Sequence, residues 1–419
     1  MSRPDEEDTD VIDMEGCDMD YDFDAVVQRR GTGCVKWDTL EKRYGESDLL
    51  PFWVADMDFS VADPIQRAIC DRVQHPVYGY TEVGSSVYEA IVGWLQRRHS
   101  WEAQPEWVML TAGVINALNM AITSYTNPGD KVIVQPPVYA PFFNSVLNNG
   151  RQVVYNPLLR TKDGFAMDLE DLEQKIDSRT KMLILCNPHN PVGRVWTQGE
   201  LEELAAICLH HGIIMVSDEI HSDFVYKGHR HVPLASISPE IADHTITCMA
   251  PSKTFNLAGL ATSFAVIPNS RLQTVFKNTA QNVGVSNGFL GVIALEAAYR
   301  HGEEWLDELL VYLEQNRDFL SRYLEERIPS IKMVKPEGTY LAWLDCQGLG
   351  VECKNLQDFF IHRAKVVVND GQWFGPNGSG FARFNMGCPR PLLEEGLGRI
   401  EAAVENHLKR RVSLAKDLQ

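Results

Sequence analysis

The stretch TCMAPSKTFNLAGL, residues 247–260, sets an apolar, strand-like run directly before Ser252 and Lys253. A lysine beside a buried strand is costly unless its charge is paired or its proton is given up. The meaning of Lys253 depends on the residues that come after the other runs of this kind. KVIVQPP (131–137), KMLILCNP (181–188), GIIMVSDE (212–219), HTITCMAP (244–251) and ATSFAVIP (261–268) are five short apolar or β-branched runs, each closed by polar, Pro or Gly punctuation. Amphipathic stretches such as GELEELAAICLHHG lie between them, that one ending in a glycine suited to a helix C-terminus. Apolar strands alternating with helices predict an α/β fold with a mostly parallel central sheet covered on both faces.

The chain is long enough, at 419 residues, for two domains. Its last third has a different pattern: long helical stretches over about 286–326 and 391–415 flank shorter strands near KMVKPEGTYLAWLD and AKVVVNDG. This predicts a large α/β domain over 59–295 and a smaller α+β domain over 296–419, to which 22–58 contributes. Residues 1–24 hold eleven acidic side chains and one basic one, so they carry −10 of the net −18 and the remainder −8. Residues 1–21 are therefore expected to form a disordered acidic tail. An acidic surface disfavours nucleic acid and anionic membranes as partners. No apolar stretch reaches the roughly 20 residues of a membrane span, and no secretory signal is evident at the N-terminus. The nine cysteines include no C-x-x-C pair, and several sit in apolar runs. That suits reduced core residues of a cytoplasmic protein, with no metal site.

In an open parallel sheet, ligands sit beyond the carboxyl ends of the strands. There the chain places Tyr139, Asn190, Asp218 with His221 three residues on, and Ser252-Lys253. Singly, each has a plain structural reading: a rim aromatic, a turn residue before Pro191, a helix N-cap, a surface charge. Together at one edge they match the needs of pyridoxal 5'-phosphate. That cofactor needs an amine to bond its carbonyl, a carboxylate to pair with its ring nitrogen, a flat aromatic against its face and neutral donors such as Asn and His near its hydroxyl. LTAGVINALNMAI (110–122) offers a small-residue turn opening a helix, where free N–H groups favour a phosphate. Neither G-x-G-x-x-G after the first strand nor GxxxxGK[ST] occurs, which sets a nucleotide-binding reading aside.

NPHNPVG, SDEIHSD and APSKTFNLAGL resemble the motif blocks of fold-type I pyridoxal phosphate enzymes of the class I/II aminotransferase superfamily. LPFWVADMDF (50–59), HPVYGYT (75–81), DEIHSDFVY (218–226), SKTFNLAGL (252–260), PEGTYLAWLD (336–345) and GFARFNMGCPR (380–390) are more closely similar to its MalY/PatB branch of cysteine–sulfur β-lyases. The resemblance runs from about residue 22 to the C-terminus. It implies Lys253 as the Schiff-base lysine, Asp218 as the pyridinium partner, Tyr139 as the stacking ring and Asn190 as donor to the ring hydroxyl. The Gly113-Val114-Ile115 backbone and Ser252 would hold the phosphate, and Arg383 the substrate carboxylate. Tyr80 would enter from the neighbouring subunit of a homodimer.

Two positions depart from the aminotransferase pattern toward the lyase branch: His221 stands where tyrosine is common, and Ala261 where a phosphate-binding arginine is usual. The implied reaction is β-elimination of L-cystathionine or a cysteine S-conjugate, an amino-acid substrate, to a thiol, pyruvate and ammonia. Trp53, Phe59 and Tyr80 are aromatic candidates for the leaving-group side, with Trp53 equally suited to interdomain core. An aminotransferase, or a cofactor-binding regulatory protein acting through a partner, are the alternatives.

Overall fold

The structure, a computed structural model, describes residues 21–417 apart from Asp163 and Val285, with side chains described up to residue 410. The expected acidic tail thus lies, up to residue 20, outside the described residues. Seven strands form one sheet: β1 (Val108–Thr111), β2 (Lys131–Val134), β3 (Gln152–Tyr155), β4 (Thr180–Cys186), β5 (Ile214–Asp218), β6 (Thr245–Met249) and β7 (Ser263–Val266). Their order is β1-β7-β6-β5-β4-β2-β3, parallel throughout except that β7 runs antiparallel to both of its neighbours. All five expected runs are strands of this sheet.

Period-two alternation explains why these strands are apolar at every position. Val132, Val134, Met182, Ile184, Val216 and Ile246 face one buried layer. Their neighbours Ile133, Leu183, Leu185 and Met215 face the other. Helix α1 (Val114–Tyr125) supplies Ala117, Leu118 and Ala121 to the first layer, and α2 (Gln198–His210) supplies Leu201 and Leu204 to the second. Helix α2 opens on a reciprocal capping box between Thr197 and Glu200 and is capped at His211, one residue before the expected glycine.

A four-stranded antiparallel sheet in the order β8-β9-β11-β10 is built from β8 (Lys332–Val334), β9 (Leu341–Asp345), β10 (Asn369–Asp370) and β11 (Phe381–Asn385). Leu50–Pro51 pairs in parallel with Val366–Val367, which ties the N-terminal segment to this part of the chain. The long helical pattern after residue 286 is two helices, α3 (Phe289–His301) and α4 (Glu303–Arg327), with α5 (Arg390–Asp417) at the end. The break falls at Gly302, where a Cβ would lie 2.4 Å from the Phe255 ring. Only a glycine lets that backbone approach so closely.

Residues 53–58 bridge the two sheets. Asn385 Nδ2, on β11, donates to the carbonyls of Val54 (2.6 Å) and Asp56 (2.7 Å). Asn256, just after Lys253, accepts from Met57 N–H at 3.0 Å and donates to the carbonyls of Met57 (2.9 Å) and Phe59 (3.0 Å). Beneath them Lys36 Nζ meets Asp58 Oδ2 at 2.6 Å, and Arg29 spans Asp56 (2.8 Å) and Asp58 (2.6 Å). Lys36 is 1% exposed and Asp58 3%.

Removing one partner of a buried pair leaves a desolvated charge behind, at about 3–5 kcal/mol. Lys36→Ala should therefore lower unfolding stability by about 3 kcal/mol in chemical denaturation, far more than a surface lysine; a loss under about 1 kcal/mol would contradict this placement.

Candidate active site

At the carboxyl ends of β2, β4, β5 and β6 lies a cavity of about 280 Å³. Nine of the eleven residues singled out in the sequence line it: Gly113, Val114, Ile115, Tyr139, Asn190, Asp218, His221, Ser252 and Lys253. Arg383 stands one hydrogen bond away, donating from Nη1 to Asn190 Oδ1 at 3.0 Å. Tyr80 does not reach this cavity; it is fully exposed between helices and borders a separate hollow with Gly79 and Phe289.

Lys253 lies in a short turn of helix, Pro251–Thr254, after β6, and its Nζ donates to the Ala55 carbonyl at 2.6 Å. The Tyr340 hydroxyl donates to the same oxygen at 3.0 Å. Burial and the nearby Arg383 charge pull the Lys253 amine down to about 8, against the opposing pull of Asp56 and Asp218. Burial pushes the Asp218 carboxyl up to about 7, although the Ile220 N–H, 3.1 Å from Oδ1, and Lys253 favour its charged form. His221 is held neutral, well below the usual range, by burial and by the Lys253 and Arg383 charges, and its Nδ1 has no partner. Burial raises the Tyr139 hydroxyl, and the Arg383 charge only partly opposes it.

The first turn of α1 makes the other end of the cavity. Gly113, at φ +103°, is the N-cap, a backbone conformation that a side chain disfavours. Its N–H already donates to Ser263 Oγ at 2.8 Å, so the N–H groups left for an anion are those of the following residues. Among the described residues, the sole cation lining the cavity is Lys253, and the position expected to lack an arginine, Ala261, lies at its exposed rim.

Arg383 is 3% exposed and pairs with no carboxylate among the described residues. Its Nη2 donates to the Trp53 carbonyl (2.8 Å) and to Asn369 Oδ1 (2.6 Å), while Nε has no partner. Burial pulls this guanidinium down to about 10. Because Asn190 Oδ1 is taken by Arg383, its Nδ2 is left for the cavity.

Some contributors were not anticipated. Asn116, in the third helical position of α1, lines the anion end with Oδ1 unpartnered; a polar side chain there was a readable signal. Ala55 and Tyr340 carried none, because a backbone carbonyl and a β9 tyrosine meet Lys253 only through the tertiary fold. The aromatic candidates change places. Trp53 packs edge-on to Tyr44 and bonds the Lys36 carbonyl at 3.2 Å, and Phe59 sits among Phe23 and Tyr312. Trp373, half exposed, instead meets Tyr139 edge-on at 5.7 Å.

The donor set fits pyridoxal phosphate. A buried carboxylate without a cation in contact suits an acidic ring nitrogen, a readily deprotonated amine suits a carbonyl, and a helix start suits a dianion. Residues 60–400 match the family model described as aminotransferase class I and II, and the chain belongs to that family. Within it, the chain is 45% identical over 385 residues to cystathionine beta-lyase PatB of Bacillus subtilis (strain 168), covering 91% of this chain and 99% of that one. It is 34% identical over 388 residues to protein MalY of Escherichia coli (strain K12), covering 92% and 99%. Cystalysin from Treponema denticola, whose crystal structure contains pyridoxal 5'-phosphate, matches at TM-score 0.90 and 35% identity, covering 93% and 100%. The resemblance to the MalY/PatB branch is thereby borne out. Among the described residues no helix is long and apolar enough to cross a membrane, and no side-chain cluster suits a metal ion.

The Asp218 shift makes a pH prediction for the cofactor-free chain. The folded group titrates near 7 instead of 3.8, so its contribution to stability is complete below about pH 4 and is lost as pH rises through about 7. Asp218→Asn cannot ionise. Relative to the parent it should gain roughly 2–3 kcal/mol between pH 5 and pH 8, at about 1.4 kcal/mol per pH unit, measured by unfolding at both pH values. A pH-independent difference would contradict the assigned environment.

Proposed function

We propose that this protein is a pyridoxal phosphate-dependent carbon–sulfur β-lyase acting on L-cystathionine or cysteine S-conjugates. With water, cystathionine gives homocysteine, pyruvate and ammonia. The observation that carries the reading is the convergence on one cavity edge of Lys253, Asp218 and a buried guanidinium, Arg383, that no carboxylate among the described residues neutralises. The likeness to cystathionine beta-lyase PatB supports the lyase over a transaminase.

The bound cofactor supplies an electron sink for negative charge formed at the substrate Cα. Asp218 would pair with its ring nitrogen, Tyr139 would stack on its ring, Asn190 Nδ2 and His221 would serve its hydroxyl, and the Val114 and Ile115 N–H groups with Ser252 would hold its phosphate. Arg383 receives the substrate carboxylate in place of the Trp53 carbonyl, a fork-to-fork contact that fixes the substrate's orientation. Orientation decides which Cα bond weakens. Lys253 Nζ, pulled down to about 8, takes up the Cα proton near neutral pH and returns a proton afterwards. A neutral His221 adds no positive charge beside that amine.

Tyr80 acts from a second copy of the chain, so the functional unit is a homodimer with shared sites; its full exposure and its place away from the cavity of its own chain support this. The large domain spans 59–295, and 22–58 joins 296–419 in the small one; the Leu50–Pro51 pairing with Val366–Val367 supports that division. All eight described cysteines are free thiols, which supports a cytoplasmic location.

Incubation with L-cystathionine and no keto acid should release pyruvate and free thiol in equal amounts. Turnover that needs a keto acid acceptor would show a transaminase instead. Arg383→Ala should lower kcat/KM at least a hundredfold, consistent with losing a charge-assisted pair worth about 3 kcal/mol.

A further inference from the structure

A second polar hollow, of about 210 Å³, lies between the end of the helix Ser85–His99 and the loop after β5. Arg97 and Arg98 enter from the helix and His229 and Arg230 from the loop. Among the described residues, Asp223 is the one carboxylate in this lining. Arg97 and Arg98 are each held from the outer side, by Glu303 (3.0 Å) and Asp307 (2.6 Å). Arg230 is exposed and has no partner among the described residues. Of the three guanidiniums, Arg230 is thus the one left without a counter-charge among the described residues.

The floor narrows the choice of anion. Ser222, 4% exposed, offers a hydroxyl with no partner among the described residues. His231, also 4% exposed, has Nε2 2.9 Å from Glu219 Oε2. With Nε2 donating to Glu219, Nδ1 is left as an acceptor, and this buried atom has no partner. An orphan acceptor in a hollow that also holds an unpaired guanidinium suits a ligand that is anionic and also carries a hydrogen-bond donor. Hydrogen phosphate has both features; sulfate and acetate carry charge without an O–H at neutral pH.

We propose that this hollow is a binding site for inorganic phosphate. Arg230 and Arg98 grip its charged oxygens, Ser222 donates to it, and its O–H donates to His231 Nδ1. The site touches the reaction centre through one residue. Asp223 accepts from Thr254 Oγ1 at 2.6 Å, and Thr254 follows Lys253 in the chain. Its other oxygen holds His99 Nε2 (3.0 Å) and Trp94 Nε1 (3.2 Å). Phosphate in the hollow thus bears on the same carboxylate that anchors the lysine-bearing turn.

Calorimetric titration of the cofactor-loaded enzyme at pH 7 and constant ionic strength tests this, because the loaded cofactor already fills the phosphate end of the first cavity. The expected result is one saturable site per chain, at least tenfold tighter for phosphate than for sulfate or acetate. Affinity should fall at least tenfold in Arg230→Gln, an exposed substitution that leaves folding intact. Equal affinities for the three anions, or phosphate binding unchanged in Arg230→Gln, would overturn the proposal.

Discussion

The six residues Trp53–Asp58 are the constraint on which the site depends. Their backbone is claimed from one side by Asn385 and from the other by Asn256, over a base of two carboxylates locked to Lys36 and Arg29. A four-charge cluster with Lys36 and Asp58 buried and Arg29 and Asp56 partly so is a poor source of stability compared with apolar packing, because desolvation offsets most of the attraction. Its strength is geometric. It presents two carbonyls at fixed positions: that of Ala55 to Lys253 and that of Trp53 to Arg383. The amine proposed to move the proton and the cation proposed to hold the substrate are therefore referenced to one piece of backbone that belongs to neither sheet.

The electrostatics follow from that arrangement. Lys253 and Arg383 are two cations in a buried site, and each makes proton loss from its neighbours or from itself easier. Asp218 is the counterweight, but burial raises it so far that it needs a positive partner to stay ionised at neutral pH. In the proposed function, a protonated heterocycle would supply that charge. The helix-start end of the cavity offers N–H groups and hydroxyls, with no arginine among the described residues of its lining and Ala261 at the rim.

The large sheet was legible because burial on both faces makes strands uniformly apolar, and that signal survives without tertiary information. The residues after each strand were legible for the same reason: a parallel sheet sends them to one edge. The edge strands β1 and β3 were not recognised, being only partly buried, unlike β2 and β7 of the same length. The split at Gly302 was hidden because the pattern of apolar positions continues across it; only the approach of Phe255 reveals it. Ala55 was invisible for a deeper reason. A backbone carbonyl has no residue type, so its part in holding Lys253 arises from chain path alone. For Trp53 the sequence left cavity wall and interdomain core both open; its ring packs by Tyr44, and its carbonyl is the group that holds Arg383.

The claim beneath all of this is that one amine, on residue 253, bonds the cofactor carbonyl. Borohydride treatment of the cofactor-loaded protein, followed by proteolysis and mass spectrometry of the peptides, reads it directly. A pyridoxyl group is expected on the peptide containing Lys253 and on no other. A label on a different lysine, or loaded protein that carries no label after reduction, would refute the assignment.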